Sequence, residues 1–262
     1  WAGTSWGVNG IATVPGSGNV INTGSGDITL IANQILGQGP LAIKFQTTGV
    51  FSLVPNGGAF PSGLNWNPVL SSGNFDFSGN YNYLDILNVA NLGGLVIGRY
   101  DGMIDGTDPV VIGNTADVTI NTATSIAGPI SVYGGTITLN SNLTTTNDGD
   151  ISLYTDNALG GLTTPRTLTA AGAFKYIPRG TTFSADVTYP IANLTATSTG
   201  LTIGNATNDK NITINADVTG GAGIELYGNN VNINSNLKTT NSGNIVLKGN
   251  TTIAAVKYIE SN

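Results

Sequence analysis

Short apolar-polar-apolar triplets punctuate the chain: Val118-Thr119-Ile120, Ile130-Ser131-Val132, Ile137-Thr138-Leu139 and Ile151-Ser152-Leu153. Strand alternation places Val118, Ile120, Ile137 and Leu139 on one face and Thr119 and Thr138 on the other. Val118 to Ile137 is 19 residues and Ile130 to Ile151 is 21. Two interleaved series, each repeating near this period, predict a coil with at least two strand faces per turn. Triplets this short make poor hairpins by themselves. Stacked rung upon rung, they bury a continuous apolar column while their backbones pair between coils.

A longer repeat encloses the short one. Residues 130–153, ISVYGGTITLNSNLTTTNDGDISL, align without a gap on residues 224–247, IELYGNNVNINSNLKTTNSGNIVL, at an offset of 94. Tyr133 pairs with Tyr227, Gly134 with Gly228, Leu143 with Leu237, Asn147 with Asn241 and Gly149 with Gly243. The same offset matches Val118-Thr119-Ile120 to Ile212-Thr213-Ile214, so the segment is duplicated. Lys175-Tyr176-Ile177 recurs as Lys257-Tyr258-Ile259 at an offset of 82, which predicts twelve extra residues in the first copy. Gly134-Gly135, Asn147-Asp148-Gly149-Asp150, Gly220-Gly221 and Asn241-Ser242-Gly243 separate the triplets. Gly and Asn accept the positive φ of sharp corners. An antiparallel sandwich is the structural rival, with Asp148-Gly149 as a hairpin turn. It does not account for the twenty-residue period.

The expectation is therefore an all-β chain folded as a right-handed parallel β-helix, a solenoid with non-helical excursions. Coils are expected over 1–50, a first repeat copy over 94–154 and a second over 196–262. Gly26-Asp27-Ile28-Thr29-Leu30 extends the rung pattern toward the beginning. Residues 51–93, rich in aromatics and in Pro, Gly and Asn, are expected as a long loop or lateral hairpin. Residues 155–195, with Pro165, Pro178 and Pro190, are expected as a second insertion.

Composition narrows the classes. Only 9% of the residues are charged, against about 25% in ordinary soluble domains, and the polar character comes from Asn, Thr, Ser and 37 glycines. Nine basic residues, thinly spread in a chain of net charge −6, form no basic patch, so neither nucleic acid nor an anionic membrane surface is an expected partner. At 40% hydrophobic residues the chain is not disordered. Its apolar runs are far shorter than the roughly 20 residues of a membrane helix. The absence of Cys excludes thiol chemistry and thiolate metal sites, and leaves the compartment open. The chain opens Trp1-Ala2-Gly3 without a start methionine or signal peptide, as a mature product or an excised fragment would.

Gly94-Leu95-Val96-Ile97-Gly98, the run from Ile126 to Gly135 and the Gly-Asp-Ile-Thr/Ser-Leu motifs together resemble the filamentous haemagglutinin-type repeats of large bacterial exoproteins. The resemblance covers residues 94–255, and weakly 20–48. It implies a long β-helical fibre, exported by two-partner secretion to the bacterial cell surface and acting in adhesion or biofilm formation. The secretion-signal region of that family is not found in this sequence.

Candidate chemistry is sparse. Asp101, Asp105 and Asp108 gather oxygens in one segment, as a calcium loop does, but with neither EF-hand spacing nor the Gly-Gly-x-Gly-x-Asp pattern; Asp-Gly also marks a turn. Asp148 and Asp150 have the composition of a general acid and base pair. Their counterparts in the second copy are Ser242 and Asn244, which fits a corner turn better. Without His or Cys, and with Arg99, Arg166 and Arg179 isolated, common nucleophile-base systems are missing. Phe51, Phe60, Trp66, Phe75, Phe77, Tyr81 and Tyr83 suit sugar stacking, although aromatics in such a segment more often cover a core. Asn142, Asn193, Asn205, Asn211 and Asn250 begin N-glycosylation acceptor patterns, which an Asn- and Thr-rich chain produces readily by chance.

These readings lead to a non-enzymatic segment of a secreted surface fibre, with no catalytic residue, metal or cofactor assigned. Expected partners are its own copies or neighbouring domains, joined end to end through open strand edges, and glycan or matrix surfaces. A polysaccharide-degrading enzyme on the same scaffold is one alternative. An ice-binding protein using outward Thr119, Thr138 and Thr213 is the other, with Ser131, Ser152 and Glu225 breaking its regularity.

Overall fold

The computed structural model describes residues 4–7, 11–13, 20–31, 34–36, 43–55, 57–60, 63–66, 84–86, 88–103, 109–255 and 257–261. Its strands pair almost wholly in parallel, each with the equivalent strand of the coil before and after it, and the fold is an all-β parallel β-solenoid. The only helical turn among the described residues is Val89–Asn91. Most coils carry three strands, so the solenoid has three walls. One more wall is present than the two triplet series require.

The first wall stacks Thr4–Gly7, Ile28–Ile31, Val50–Val54, Gly94–Ile97, Ile130–Tyr133, Ile151–Tyr154, Ala173–Ile177 and Gly200–Ile203 in order. It ends on the opening halves of two long strands, Gly223–Ile233 and Asn244–Ile253. These long strands turn the corner and finish in the second wall. That wall also holds Leu64–Trp66, Val118–Ile120, Ile137–Leu139, Val187–Tyr189 and Ile212–Ile214. The third contains Thr124–Ile126, Leu143–Thr145, Arg166–Thr169 and Leu194–Thr197, then Val218–Gly220, Leu237–Thr239 and Ile259–Glu260.

Register explains the burial. Ile28, Phe51, Leu95, Ile130, Ile151, Phe174, Leu201 and Ile224 stand in successive coils on one inward line. All of them belong to a single hydrophobic cluster with Val118, Ile120, Ile137 and Leu139. A buried Ile or Leu contributes about 1.5–3 kcal/mol relative to exposure, so a coil with several such residues makes up for strands too short to persist alone. Ile130 to Ile224 spans four coils, through Ile151, Phe174 and Leu201. The 94-residue duplication is thus a four-coil block.

The second recurrence has a different basis. Lys175-Tyr176-Ile177 lies in the first wall, against Ser152-Leu153-Tyr154. Ile259, which ends the later copy of the motif, pairs with Leu237 in the third wall. The two motifs occupy different faces, so their offset of 82 does not measure an insertion.

Residues 155–195 carry the rung strands Arg166–Thr169, Ala173–Ile177 and Val187–Tyr189 and the start of Leu194–Thr197, with longer connections between them. In the 51–93 stretch, Phe51 to Val54 and Leu64–Trp66 are likewise rungs, and Leu84–Ile86 pairs in parallel with Ile43–Gln46. A lateral hairpin does leave the solenoid, but further on: Arg99–Met103 runs antiparallel to Pro109–Gly113.

Candidate functional site

Five aspartates share one structural task. Asp27 accepts the backbone N–H of Val50 (2.8 Å), and Asp150 that of Ala173 (2.7 Å). Asp117 accepts from Thr136 (2.8 Å), Asp186 from Asn211 (2.9 Å) and Asp217 from Asn236 (2.8 Å). Each Asp lies just ahead of a strand and accepts from the first residue of the next strand in the same wall, or from the residue just before it, one coil later. The side chains of Asn211 and Asn236 add a second bond to Asp186 (2.9 Å) and Asp217 (3.0 Å). These bonds hold both carboxyls below their ordinary pKa, the backbone N–H having the largest effect.

Asp150 also pairs with Lys175 at 2.5 Å. Asp148 is exposed at the corner with φ 53, and its counterpart Ser242 has φ 62, so the position is defined by its left-handed backbone. Asp101 lies in the antiparallel hairpin, opposite Val111. Asp105 and Asp108 fall outside the described residues. No group of three His, Cys, Asp or Glu that would hold a metal ion occurs among the described residues.

Phe51, Phe60 and Trp66 are fully buried in the spine. The Trp66 indole N–H donates to the hydroxyl of Thr124 in the next wall (2.9 Å). Phe75, Phe77, Tyr81 and Tyr83 lie outside the described residues. The aromatic segment, where described, builds core.

The outward threonines gather on the second wall. Thr119 stands between Asn65 and Thr138, and Thr213 between Thr188 and Asn232. Beside them Asn121 donates to Asn65 (3.2 Å), Asn140 to Asn121 (2.8 Å) and Asn234 to Asn215 (2.9 Å). Ser131, Ser152 and Glu225 belong to the first wall and do not interrupt this row. Its breaks are Asn65, Asn232 and the coil where Gly160 bridges to Thr138.

Two features were not singled out from sequence. Buried Asn114 and Asn208, 94 residues apart, pin equivalent corners. Asn114 accepts the N–H groups of Phe60 (3.1 Å) and Ala116 (3.0 Å), and donates to the carbonyls of Ala116 (2.9 Å) and Tyr133 (3.0 Å). Asn208 accepts from Phe183 (3.2 Å) and donates to Tyr227 (2.8 Å). Extending the gap-free alignment upstream would have found the pair.

The second is a column at the outer end of the first wall. The rings of Tyr133 and Tyr154 stack at 4.1 Å with 2° between their planes, and the Arg99 guanidinium lies 5.4 Å from the Tyr133 centroid. At the corresponding place in the second copy an open cavity of about 400 Å³ lies beside Tyr227 and Lys248. A smaller cavity, about 250 Å³, marks the gap in the third wall between Leu194–Thr197 and Val218–Gly220.

No protein-family profile, curated protein or solved structure matches the chain.

Proposed function

We propose that this chain is a non-catalytic, load-carrying and adhesive segment of a secreted bacterial surface fibre, of the filamentous haemagglutinin type that its Gly-Asp-Ile-Thr/Ser-Leu motifs resemble. The observation that carries the reading is the continuous apolar spine of stacked parallel coils, which any further coil can extend. Strand Asn244–Ile253 is paired on one side by Gly223–Ile233, and most of its side chains are exposed. Val246 is 37% exposed, Ile253 47% and Tyr258 52%. A strand edge of this length with apolar side chains is a template for another strand. A neighbouring segment of a larger chain or a second copy would take that place; a second copy would do so head to tail, a heterologous contact that grows into filaments. The outer walls, rich in Ser, Thr and Asn and poor in charge, are left for glycan or matrix contact.

The test is sedimentation and electron microscopy of the purified chain over a concentration series, beside Val246→Lys/Ile253→Lys. The wild type is expected to form end-to-end oligomers and to attach to cells, matrix or immobilised glycans; the double variant attaches but stays monomeric. A chain that remains monomeric at high concentration and attaches to no such surface overturns the proposal.

A further inference from the structure

The duplication supplies its own control for the cavity beside Tyr227. Tyr133 and Tyr227 are equivalent by the 94-residue repeat, and Gly98 and Gly204, one coil earlier, lie beside them by strand register. Gly98 (φ 88) and Gly204 (φ 84) both have left-handed backbones, and a Cβ on either would collide with the carbonyl oxygen of Tyr133 or Tyr227 respectively. In the first copy the space around the ring is taken, by Arg99 on one side and Tyr154 on the other. In the second copy the residue after Gly204 is Asn205, and the counterpart of Tyr154 is Lys248, paired in register with Tyr227. Among the described residues no ring or guanidinium stacks on Tyr227, and the space left is the cavity of about 400 Å³. Asn205, Tyr227, Gly228, Asn229, Lys248 and Asn250 line it.

The lining defines a chemistry. Asn205 is fixed as a wall, accepting from the backbone N–H (3.1 Å) and the hydroxyl (2.9 Å) of Thr207 and donating to Gly180 (3.3 Å). Asn229, Asn250 and Lys248 have no side-chain partner among the described residues. Two free amides supply donors and acceptors for hydroxyls, an ammonium supplies one positive charge, and a half-buried tyrosine, whose hydroxyl donates to the Glu225 carboxylate (3.4 Å), supplies an apolar ring. The volume lies in the range of small-ligand sites and far exceeds a bare inorganic anion. We propose that this cavity binds a carboxylated sugar unit of an acidic polysaccharide, with Lys248 on the carboxylate, Asn229 and Asn250 on ring hydroxyls, and Tyr227 against the ring. The proposal rests on the adhesive reading above and names a ligand class for it.

The probe is a soluble oligogalacturonate, titrated calorimetrically into the whole chain, with its methyl ester as the uncharged counterpart. The wild type is expected to bind the acid and to bind the ester roughly tenfold more weakly or worse, the loss of one charged hydrogen bond. Lys248→Tyr, which restores the tyrosine pair of the first copy, is expected to abolish binding with an unchanged circular dichroism spectrum. Lys248→Gln keeps the length of the side chain and is expected to erase the preference for the acid. Binding of neither ligand, equal binding of both, or full binding by Lys248→Gln overturns the proposal. Soluble binding and fibre behaviour fail separately: assembly or attachment without oligogalacturonate binding rejects the site alone, and binding without either rejects the fibre alone.

Discussion

A buried asparagine is tolerated when all its polar atoms are matched, and Asn114 meets that condition in full. It is 0% exposed, and its side chain bonds to backbone groups of three segments, at Phe60, Ala116 and Tyr133. It replaces the turn of secondary structure that the corner lacks. Asn114→Ala leaves the Phe60 N–H without its acceptor inside the protein, and is expected to cost about 2–4 kcal/mol, read from the urea midpoint; Asn208→Ala should behave likewise. A change below about 0.5 kcal/mol would mean these corners hold without the side chain. Outer-surface aspartates make a different prediction. The folded pKa of Asp186 and Asp217 is depressed, so their contribution is present above the unfolded carboxylate value near ~4 and is lost as pH falls through the lower folded value. Unfolding midpoints should therefore drop as the medium is acidified through that window, and Asp186→Asn/Asp217→Asn should flatten the drop. Equal slopes for wild type and variant would remove these carboxylates from the acid response.

Rungs differ in how plainly they are written. Second-wall strands such as Val118–Ile120 and Ile137–Leu139 have two apolar inward positions, and this is why their burial followed from alternation. Third-wall strands do not. Leu143–Thr145 and Leu237–Thr239 place Thr145 and Thr239 inward, each donating to the carbonyl of the corner glycine, Gly149 or Gly243, at 2.5 Å. A threonine satisfied by its own corner is invisible to a search for apolar pairs, so a three-walled coil showed only two walls. The rungs between 155 and 195 were hidden by long connections and by Arg166-Thr167 at the start of one strand. Close backbone stacking was equally unreadable, because glycine in this chain is common everywhere. Gly128 is a case in point: a Cβ there would overlap the Gly93 carbonyl oxygen of the preceding coil, while one at Gly113 in the hairpin meets nothing within 4 Å. Gly128→Ala should destabilise by about 3 kcal/mol or more, and Gly113→Ala by less than about 0.5 kcal/mol. Similar thermal midpoints for the two would show that the coils are free to part at that corner.

In a solenoid each coil touches only its neighbours, so stability is distributed along the axis and an uncovered end is weaker than the middle. Ile130–Tyr133 and Ile151–Tyr154 have a parallel partner on both edges, and their inward side chains Ile130, Val132, Ile151 and Leu153 are fully buried. Asn244–Ile253 is paired along one edge by Gly223–Ile233, and its inward Ile245 and Leu247 are only half-buried. Alternate amides of an edge strand face away from the ladder. Hydrogen exchange in dilute solution is therefore expected to be slow throughout the middle rungs and to quicken over 244–253. If a second copy covers that edge, the same amides should become protected as concentration rises, while those of Ile130–Tyr133 change little. The pattern is specific to docking at the open coil: association through the outer walls would leave residues 244–253 exchanging at their dilute rate. Uniform protection from the middle rungs through Ile253 at every concentration would mean that the last coil is already covered within a single chain, and head-to-tail growth would lose its physical basis.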